Sequence, residues 1–302
     1  SPEQYNVTSY GATTVAILTL EAFVGMWINA FILCVLCIGW IKKKTLNLNE
    51  KILLLLGSSR FFSLCFSWAY SFLSFIFPNY LYVHLILQLA VFLDSFFNQC
   101  NLWFSACLCG FYCIKIANFR NRFFIYLKVK IDWIVLWLLL GSGILALAVG
   151  IIAYDIADKP HCNNQNSTRR GTFGKANIKM DNYFFPSFFL AGFLYAASFM
   201  AVIFSAVFLL LSLWRHKCNM QTNSMKDLSM EAHIRAMKSI FSFLVMYGIN
   251  FVCLVLKMVY VTKKGSFMAF LIVVFQYSFS GLHSLILIFS NPKLEKTLLK
   301  IL

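Results

Sequence analysis

The sequence predicts an all-α membrane protein, a single domain over residues 1–302 in which seven helices cross the bilayer and the N-terminus lies outside. Composition, apolar runs and the distribution of basic residues predict this fold. Of the 302 residues, 60% are hydrophobic and 12% are charged, whereas soluble domains are about 45–50% apolar and about 25% charged. One water-soluble core could not bury this much apolar surface, so the chain must use lipid as its solvent.

Seven apolar runs are long enough to cross a bilayer, which takes about 20 residues in a helix. Prolines fall at or near the ends of three of them, where they disturb a helix least. A short cytoplasmic helix is expected over 292–302. The predicted spans are 13–40, 52–77, 83–117, 131–153, 183–214, 233–262 and 267–290.

Lysine and arginine set the orientation, because cytoplasmic loops carry an excess of both. The gaps on one side of the membrane hold seventeen of them and the gaps on the other side hold seven. The richer side is predicted to be cytoplasmic, in the cell membrane. Two glycosylation sequons, at Asn6 and Asn166, then fall on the outer side. The net charge of +15 indicates contact with anionic membrane lipids rather than nucleic acid, because the basic residues lie in short clusters between apolar runs.

The third span carries a polar stripe: Asp94, Asn98, Asn101 and Ser105 recur at spacings of four, three and four, which places them on one helix face. A polar stripe in lipid must face the bundle interior or water. The seventh span repeats this arrangement with Gln276, Ser280 and His283. Two such stripes predict a cavity between helices, which an external ligand could reach at Asp94.

A second group of polar residues lies deeper, toward the cytoplasm. Asn29, Arg60, His283 and Ser284 fall roughly 9–16 Å from the inner ends of their spans, at about 1.5 Å per residue. They are predicted to form a hydrogen-bonded core to which Arg60 supplies several donors. No metal site is expected there, because no second histidine lies at helical spacing.

Two further charges lie inside the predicted spans. Lys257 either extends to the outer interface or turns inward and pairs with Asp94. Glu21 lies in the first span, and the sequence does not indicate its partner.

Several motifs, in order along essentially the whole chain, resemble the bitter taste receptors, the type 2 taste receptor family. The most specific is Leu108–Phe119, LCGFYCIKIANF, which is similar to the family pattern L-x-x-F-Y-F-L-K-I-A-N-F. The others are Glu21-x-x-x-Gly25-x-x-x-Asn29, Ser59-Arg60, Ser212-Leu-Trp-Arg-His216, Ala232-His233 with Lys238 and Tyr247, and His283-Ser284 with Asn291-Pro292.

The resemblance implies a G-protein-coupled receptor that binds bitter small molecules in a pocket on the extracellular side and signals through a gustducin-type heterotrimeric G protein. By position, it places Asn98 in the pocket and Tyr247 at the pocket floor. Ligand contacts are expected from Asp94, Asn98, Asn101, Tyr247, Gln276, Tyr70 and Lys257. The inner network would comprise Asn29, Arg60, His283 and Ser284, and the G-protein face Lys115, Arg215, His216 and Lys238.

The sequence also departs from the family pattern. Asp94 stands where many members have tryptophan, which places the family's aromatic ligand shelf in doubt. Ser198 replaces a proline of the fifth span, and Phe279-Ser280-Gly281 replaces Tyr-Pro-Ser in the seventh. Both spans are therefore expected to kink less than in relatives.

Other functions fit the sequence less well. A multi-span transporter or channel is the main alternative, but internal repeats are absent and the number of spans is odd. An enzyme is not expected, because the chain has no metal-ligand set and no Gly-x-Ser-x-Gly motif. No cofactor is expected, and a retinal Schiff base is excluded because residues 267–290 contain no lysine.

Overall fold

The computed structural model describes residues 2–76, 84–116, 122–165, 184–221, 241–242, 244–253, 255–256 and 267–301. Within these ranges the chain is almost entirely helical and has no strand. The helices are α1 Pro2–Lys43, α2 Leu48–Ile76, α3 His84–Ile116, α4 Arg122–Gln165, α5 Phe184–Gln221, α6 Leu244–Cys253, α7 Phe267–Ser290 and α8 Pro292–Ile301.

The helices α1–α5 and α7 are long and apolar enough to cross a membrane, and the described part of α6 is a shorter apolar helix. The fold therefore has the predicted class: an all-helical bundle of the seven-span type. Several helices run past the predicted spans, since α1 begins at Pro2 and α4 continues to Gln165. Hydropathy locates the part of a helix that lies in lipid, but the helix can continue beyond it.

The helix α3 lies at the centre of the bundle and packs against α2, α4 and α5, while α1 packs against α2 and α7. Large apolar side chains such as Trp27, Trp133 and Phe204 are exposed on the outside of the bundle. In water such a surface would be unfavourable, whereas in a bilayer it faces acyl chains. The fold thus turns polar side chains of α1, α2, α3 and α7 inward.

Each end of the α1–α2 connection is capped. Lys44 adopts a left-handed conformation (φ 55°) and its N–H donates to the Trp40 carbonyl at 2.7 Å, which ends α1. Asn47 begins α2, and its N–H donates to the Glu50 carboxylate at 3.1 Å. Asn47 is thus the N-cap of α2, and the Glu50 side chain supplies the returning hydrogen bond of a capping box.

The Asn291-Pro292 pair marks the boundary between α7 and α8. The Asn291 side-chain oxygen accepts hydrogen bonds from the N–H groups of Lys293 (3.0 Å) and Leu294 (3.4 Å). Asn291 is therefore the N-cap of α8, and Pro292 occupies the first helical position, where a missing N–H costs nothing. Leu294 is completely buried and anchors α8 to the apolar core of the bundle.

Candidate functional site

Arg60 joins four helices in the half of the bundle nearer to α8, which we call the inner half. Its guanidinium donates to Ser284 on α7 at 3.0 Å and to Ser105 on α3 at 3.4 Å, and it also contacts the Nδ1 atom of His283. The Ser284 hydroxyl donates onward to Asn29 on α1 at 2.8 Å. The structure thus brings together the four residues that the sequence placed at comparable depth, and adds Ser105.

The chemistry of arginine fixes the proton positions in this network. A guanidinium has donors only, so Nδ1 of His283 must accept, and the imidazole is neutral with its proton on Nε2. Arg60 is 1% exposed, and Asn29, His283 and Ser284 are completely buried. The charge of Arg60 is thus held by hydroxyl and imidazole groups. A charge removed from water in this way depends strongly on each acceptor around it.

A close approach of α1 and α7 makes this network possible. A Cβ atom on Gly281 would lie 3.5 Å from the Cα of Gly25, so the two helices meet backbone to backbone at these glycines. The contact lies one turn from Asn29 and Ser284. A side chain larger than that of alanine at Gly281 would separate the helices and lengthen the hydrogen bond between them.

The polar stripe of α3 is shared between both halves of the bundle. Asn101 accepts a hydrogen bond from the Ser59 hydroxyl of α2 at 2.6 Å, and Ser105 meets Arg60. One turn and two turns further out, Asn98 and Asp94 are partly buried. The stripe therefore runs from the half of the bundle farther from α8, which we call the outer half, to the Arg60 network without a break in its spacing.

The polar contacts of the outer half are separate pairs and do not share a central residue as the Arg60 network does. Tyr277 on α7 lies 3.3 Å from the Ser71 hydroxyl of α2 and close enough to Asp94 for an electrostatic interaction. Glu21 accepts a hydrogen bond from Ser278 at 3.0 Å. This hydrogen bond supplies a partner for Glu21 that the sequence did not indicate, because a serine in a long apolar helix gives no pairing signal.

Tyr247 is buried between α6 and α3. Its hydroxyl donates to the Leu102 carbonyl at 2.9 Å, and its ring packs against Phe199 and Phe279. Only 1% of the residue is exposed. Tyr247 thus ties α6 to the central helix at the level just outside the Arg60 network.

The remaining predicted residues are placed as follows. Tyr70 and Gln276 are partly buried, and Lys115 is exposed with its ammonium group 4.9 Å from the ring centre of Phe111. Asn6 lies on α1 and Arg215 and His216 on α5, but their side chains fall outside the described part of the structure, as do Asn166, Lys238 and Lys257 altogether.

The structure reveals an ion pair at the end of the bundle where α8 lies, and the sequence analysis missed it. Lys293 on α8 lies 2.5 Å from Glu50 on α2. The Lys293 ammonium group passes over Gly39 of α1, where an added Cβ would lie 2.8 Å from it. Next to this pair, Tyr112 of α3 donates to Asn49 at 2.9 Å. A single sequence does not indicate that two residues 243 positions apart form an ion pair.

A buried amide on α3 was also missed. Gln99 is completely buried and neither of its side-chain polar atoms has a hydrogen-bond partner among the described residues; the same holds for Nε1 of Trp103, one turn away. Gln99 follows Asn98 in the chain but lies off the spacing of the polar stripe, so it was not among the predicted residues. Only the packing of α3 against its neighbours shows that this face is closed.

A seven-span helical bundle with a polar stripe along its central helix and a charged hydrogen-bond network in its core is typical of G-protein-coupled receptors. The taste receptor protein (TAS2R) family matches residues 7–302. Taste receptor type 2 member 9 of Papio hamadryas is 30% identical over 96% of this chain and 93% of its own length. The human taste receptor type 2 member 2 is 29% identical, covering 95% of each chain, and member 40 of Gallus gallus is 30% identical, covering 97% and 95%.

The chain therefore belongs to the type 2 taste receptor family. It is a multi-span membrane receptor of the G-protein-coupled type, with a function in bitter taste, and is not an enzyme.

Proposed function

We propose that this receptor binds bitter small molecules in the outer half of the bundle, between α2, α3, α6 and α7, and activates a gustducin-type G protein at the cytoplasmic end. The N-terminus is extracellular, the receptor lies in the cell membrane, and Asn6 and Asn166 are glycosylated. The polar stripe of α3 carries the proposal, because it begins with Asp94 and Asn98 in the outer half and ends at Ser105 on Arg60.

The signal would pass between these ends through helix movement. An agonist shifts the receptor toward an active arrangement only through a difference in its affinity for the two arrangements. A ligand that contacts Asp94 and Asn98 would act on the position of α3. The Leu102 carbonyl of this helix accepts the hydrogen bond from Tyr247 on α6. A shift of α6 relative to α3 would open the cytoplasmic face, where Lys115, Arg215, His216 and Lys238 receive the G protein.

Asp94 gives the pocket its chemical preference in this proposal. It is an acidic group on the polar stripe, two turns outward from Asn101, at a depth that a ligand from outside can reach. A carboxylate forms strong, charge-assisted hydrogen bonds with amines. Agonists that carry a protonated amine should therefore gain more from Asp94 than neutral agonists do.

The test is a calcium-flux screen of bitter compounds in cells supplied with a gustducin-type G protein, comparing the parent with Asp94→Asn. Cationic agonists should lose about tenfold or more in potency, equivalent to about 1.4 kcal/mol, while neutral agonists change little. Asp132→Asn, which removes an exposed carboxylate from α4, is the matched control. Equal losses for both agonist types would refute the amine preference, and a receptor silent to all compounds with this G protein would refute the coupling.

A further inference from the structure

Arg60 carries a positive charge that no carboxylate in the described part of the chain balances. Its guanidinium contacts Ser284, Ser105 and Nδ1 of His283, and all three groups are neutral. The nearest acidic residue on its own helix is Glu50, about 15 Å away along α2. A cation that is only 1% exposed therefore lacks the opposite charge that a buried ion normally requires.

The acidic residues of the neighbouring helices lie too far along the bundle to supply this charge. Glu21 lies about 12 Å outward from Asn29 on α1, and Asp94 lies about 16 Å outward from Ser105 on α3. The helix α7, Phe267–Ser290, contains no acidic residue. The helices that contact Arg60 therefore place no carboxylate beside it in the described part of the chain.

The interface between α2 and α3 also offers hydrogen-bond donors beside this charge. Nε of Arg60 is buried and has no hydrogen-bond partner among the described residues. Ser105 accepts from Arg60 with its oxygen, so its own O–H is available as a donor. One turn outward, the Asn101 oxygen accepts from Ser59, and the NH₂ group of the same amide is a further donor. An excess of donors next to an unbalanced positive charge is the chemistry of an anion site.

We propose that a small monovalent anion, chloride under physiological conditions, binds at the α2–α3 interface beside Arg60. One negative charge balances the guanidinium, and a spherical halide accepts charge-assisted hydrogen bonds from N–H and O–H groups in any direction. A divalent anion such as sulfate would instead leave an excess negative charge in a buried site, which is costly. A larger organic anion does not fit among Arg60, Ser105 and Ser284, because each of them is at most 1% exposed.

The Glu50–Lys293 pair shows how this chain balances a cation where a carboxylate is within reach. The Lys293 side chain is 36% exposed and lies 2.5 Å from Glu50. Arg60 is much more deeply buried, so the free energy that an opposite charge contributes there is larger. An added anion should therefore stabilise the folded receptor through Arg60 and have no comparable effect through Lys293.

The test measures thermal unfolding of the purified full-length receptor in potassium gluconate, in which chloride replaces gluconate stepwise at constant ionic strength. An anion that binds only the folded receptor stabilises it. The unfolding temperature should rise by about 5 °C, with half of the rise reached at about 1 mM chloride. Bromide should act like chloride, whereas sulfate should have no effect. At physiological salt, about 0.15 M, the site is then full and further chloride changes nothing.

Two variants assign the ion to Arg60. Arg60→Leu removes the charge and should abolish the chloride response. Ser105→Ala removes one donor and should raise the half-saturating chloride concentration about tenfold, whereas a loss of packing alone would lower the unfolding temperature without shifting this concentration. Lys293→Met removes a cation that is already paired with a carboxylate. It is the matched control and should leave the titration unchanged.

Three outcomes would overturn the proposal. The first is an unfolding temperature that does not differ between chloride and gluconate. The second is an equal response to sulfate, which would indicate a general effect of salt. The third is a chloride response that persists in Arg60→Leu or that Ser105→Ala leaves unchanged, which would place the ion elsewhere. If Arg60→Leu fails to fold, the comparison of Ser105→Ala with Lys293→Met decides the result. The measurements involve neither agonist nor G protein, so their failure would not bear on the proposed function.

Discussion

The two halves of the bundle use polar residues in different ways. In the inner half, one guanidinium connects α2, α3 and α7 directly and α1 through Ser284, and most of its partners are completely buried. In the outer half, contacts such as Ser71 with Tyr277 and Ser278 with Glu21 join helices in pairs, and all of these residues except Tyr277 are only partly buried. Both halves contain ionisable residues in a region where each is energetically expensive.

This difference in connectivity indicates that the inner network has a structural role and that the outer contacts can respond to a ligand. In a network with a shared centre, the loss of one member removes partners from the others, so the whole responds as a unit. Pairwise contacts can break singly and leave the rest in place. The inner half is thus suited to stabilising either the inactive or the active arrangement of the helices. The outer half is suited to exchanging contacts within the protein for contacts with a ligand.

The largest effect is expected from removal of an Arg60 acceptor. His283→Leu keeps the side-chain volume but leaves part of a buried guanidinium without an acceptor, which should cost about 2–3 kcal/mol of stability. His283→Asn offers an oxygen at a similar position as acceptor and should recover part of the lost stability. Thermal unfolding of the purified receptor measures both changes.

Ser71→Ala is the outer-half control for this comparison, because Ser71 is itself only partly buried and carries no charge-bearing partner in its contact with Tyr277. It should cost less than about 1 kcal/mol. If Ser71→Ala lost as much stability as His283→Leu, the distinction between the two halves would be refuted.

A second, somewhat smaller effect is expected where α1 meets α7. Gly281→Leu places a large side chain against the Gly25 backbone and should cost about 1–3 kcal/mol through overpacking. Gly281→Ala should be nearly neutral, because its Cβ would lie at an ordinary contact distance of 3.5 Å. The pair is compared by unfolding temperature and by surface expression in cells. Equal tolerance of both residues would show that the helix approach does not hold the inner network together.

The sequence predicted the helical class and the inner network better than the outer contacts, for a physical reason. A polar residue in a long apolar run is conspicuous, and depth along the helix alone placed Arg60, Asn29, His283 and Ser284 at one level. Which neighbour a side chain meets depends on helix rotation. The partner of Glu21 and the closed environment of Gln99 therefore became visible only with the packing. The roles of Asp94, Asn98 and Asn101 in ligand binding remain predictions.

A third effect concerns signalling more than stability. Tyr247→Phe removes the hydroxyl that ties α6 to the Leu102 carbonyl and should cost about 1 kcal/mol. Because α6 is then freer to move away from α3, basal nucleotide exchange by the G protein should rise in the absence of agonist. Tyr112→Phe removes a similar hydrogen bond between α3 and Asn49, but it does not involve α6 and should leave basal exchange unchanged. An equal rise in both variants would indicate general loosening instead of release of α6.

The smallest effect is expected from the Glu50–Lys293 pair, which lies at the edge of the bundle between α2 and α8. Their side chains are 13% and 36% exposed, so water and salt weaken the attraction far more than around Arg60. A double-mutant cycle with Glu50→Gln and Lys293→Met should give a coupling of about 0.5–1 kcal/mol. This coupling should fall as salt is raised, whereas the loss in His283→Leu should not change. If the two responded to salt alike, the Arg60 network would have to be open to solvent, and burial could not explain its greater contribution to stability.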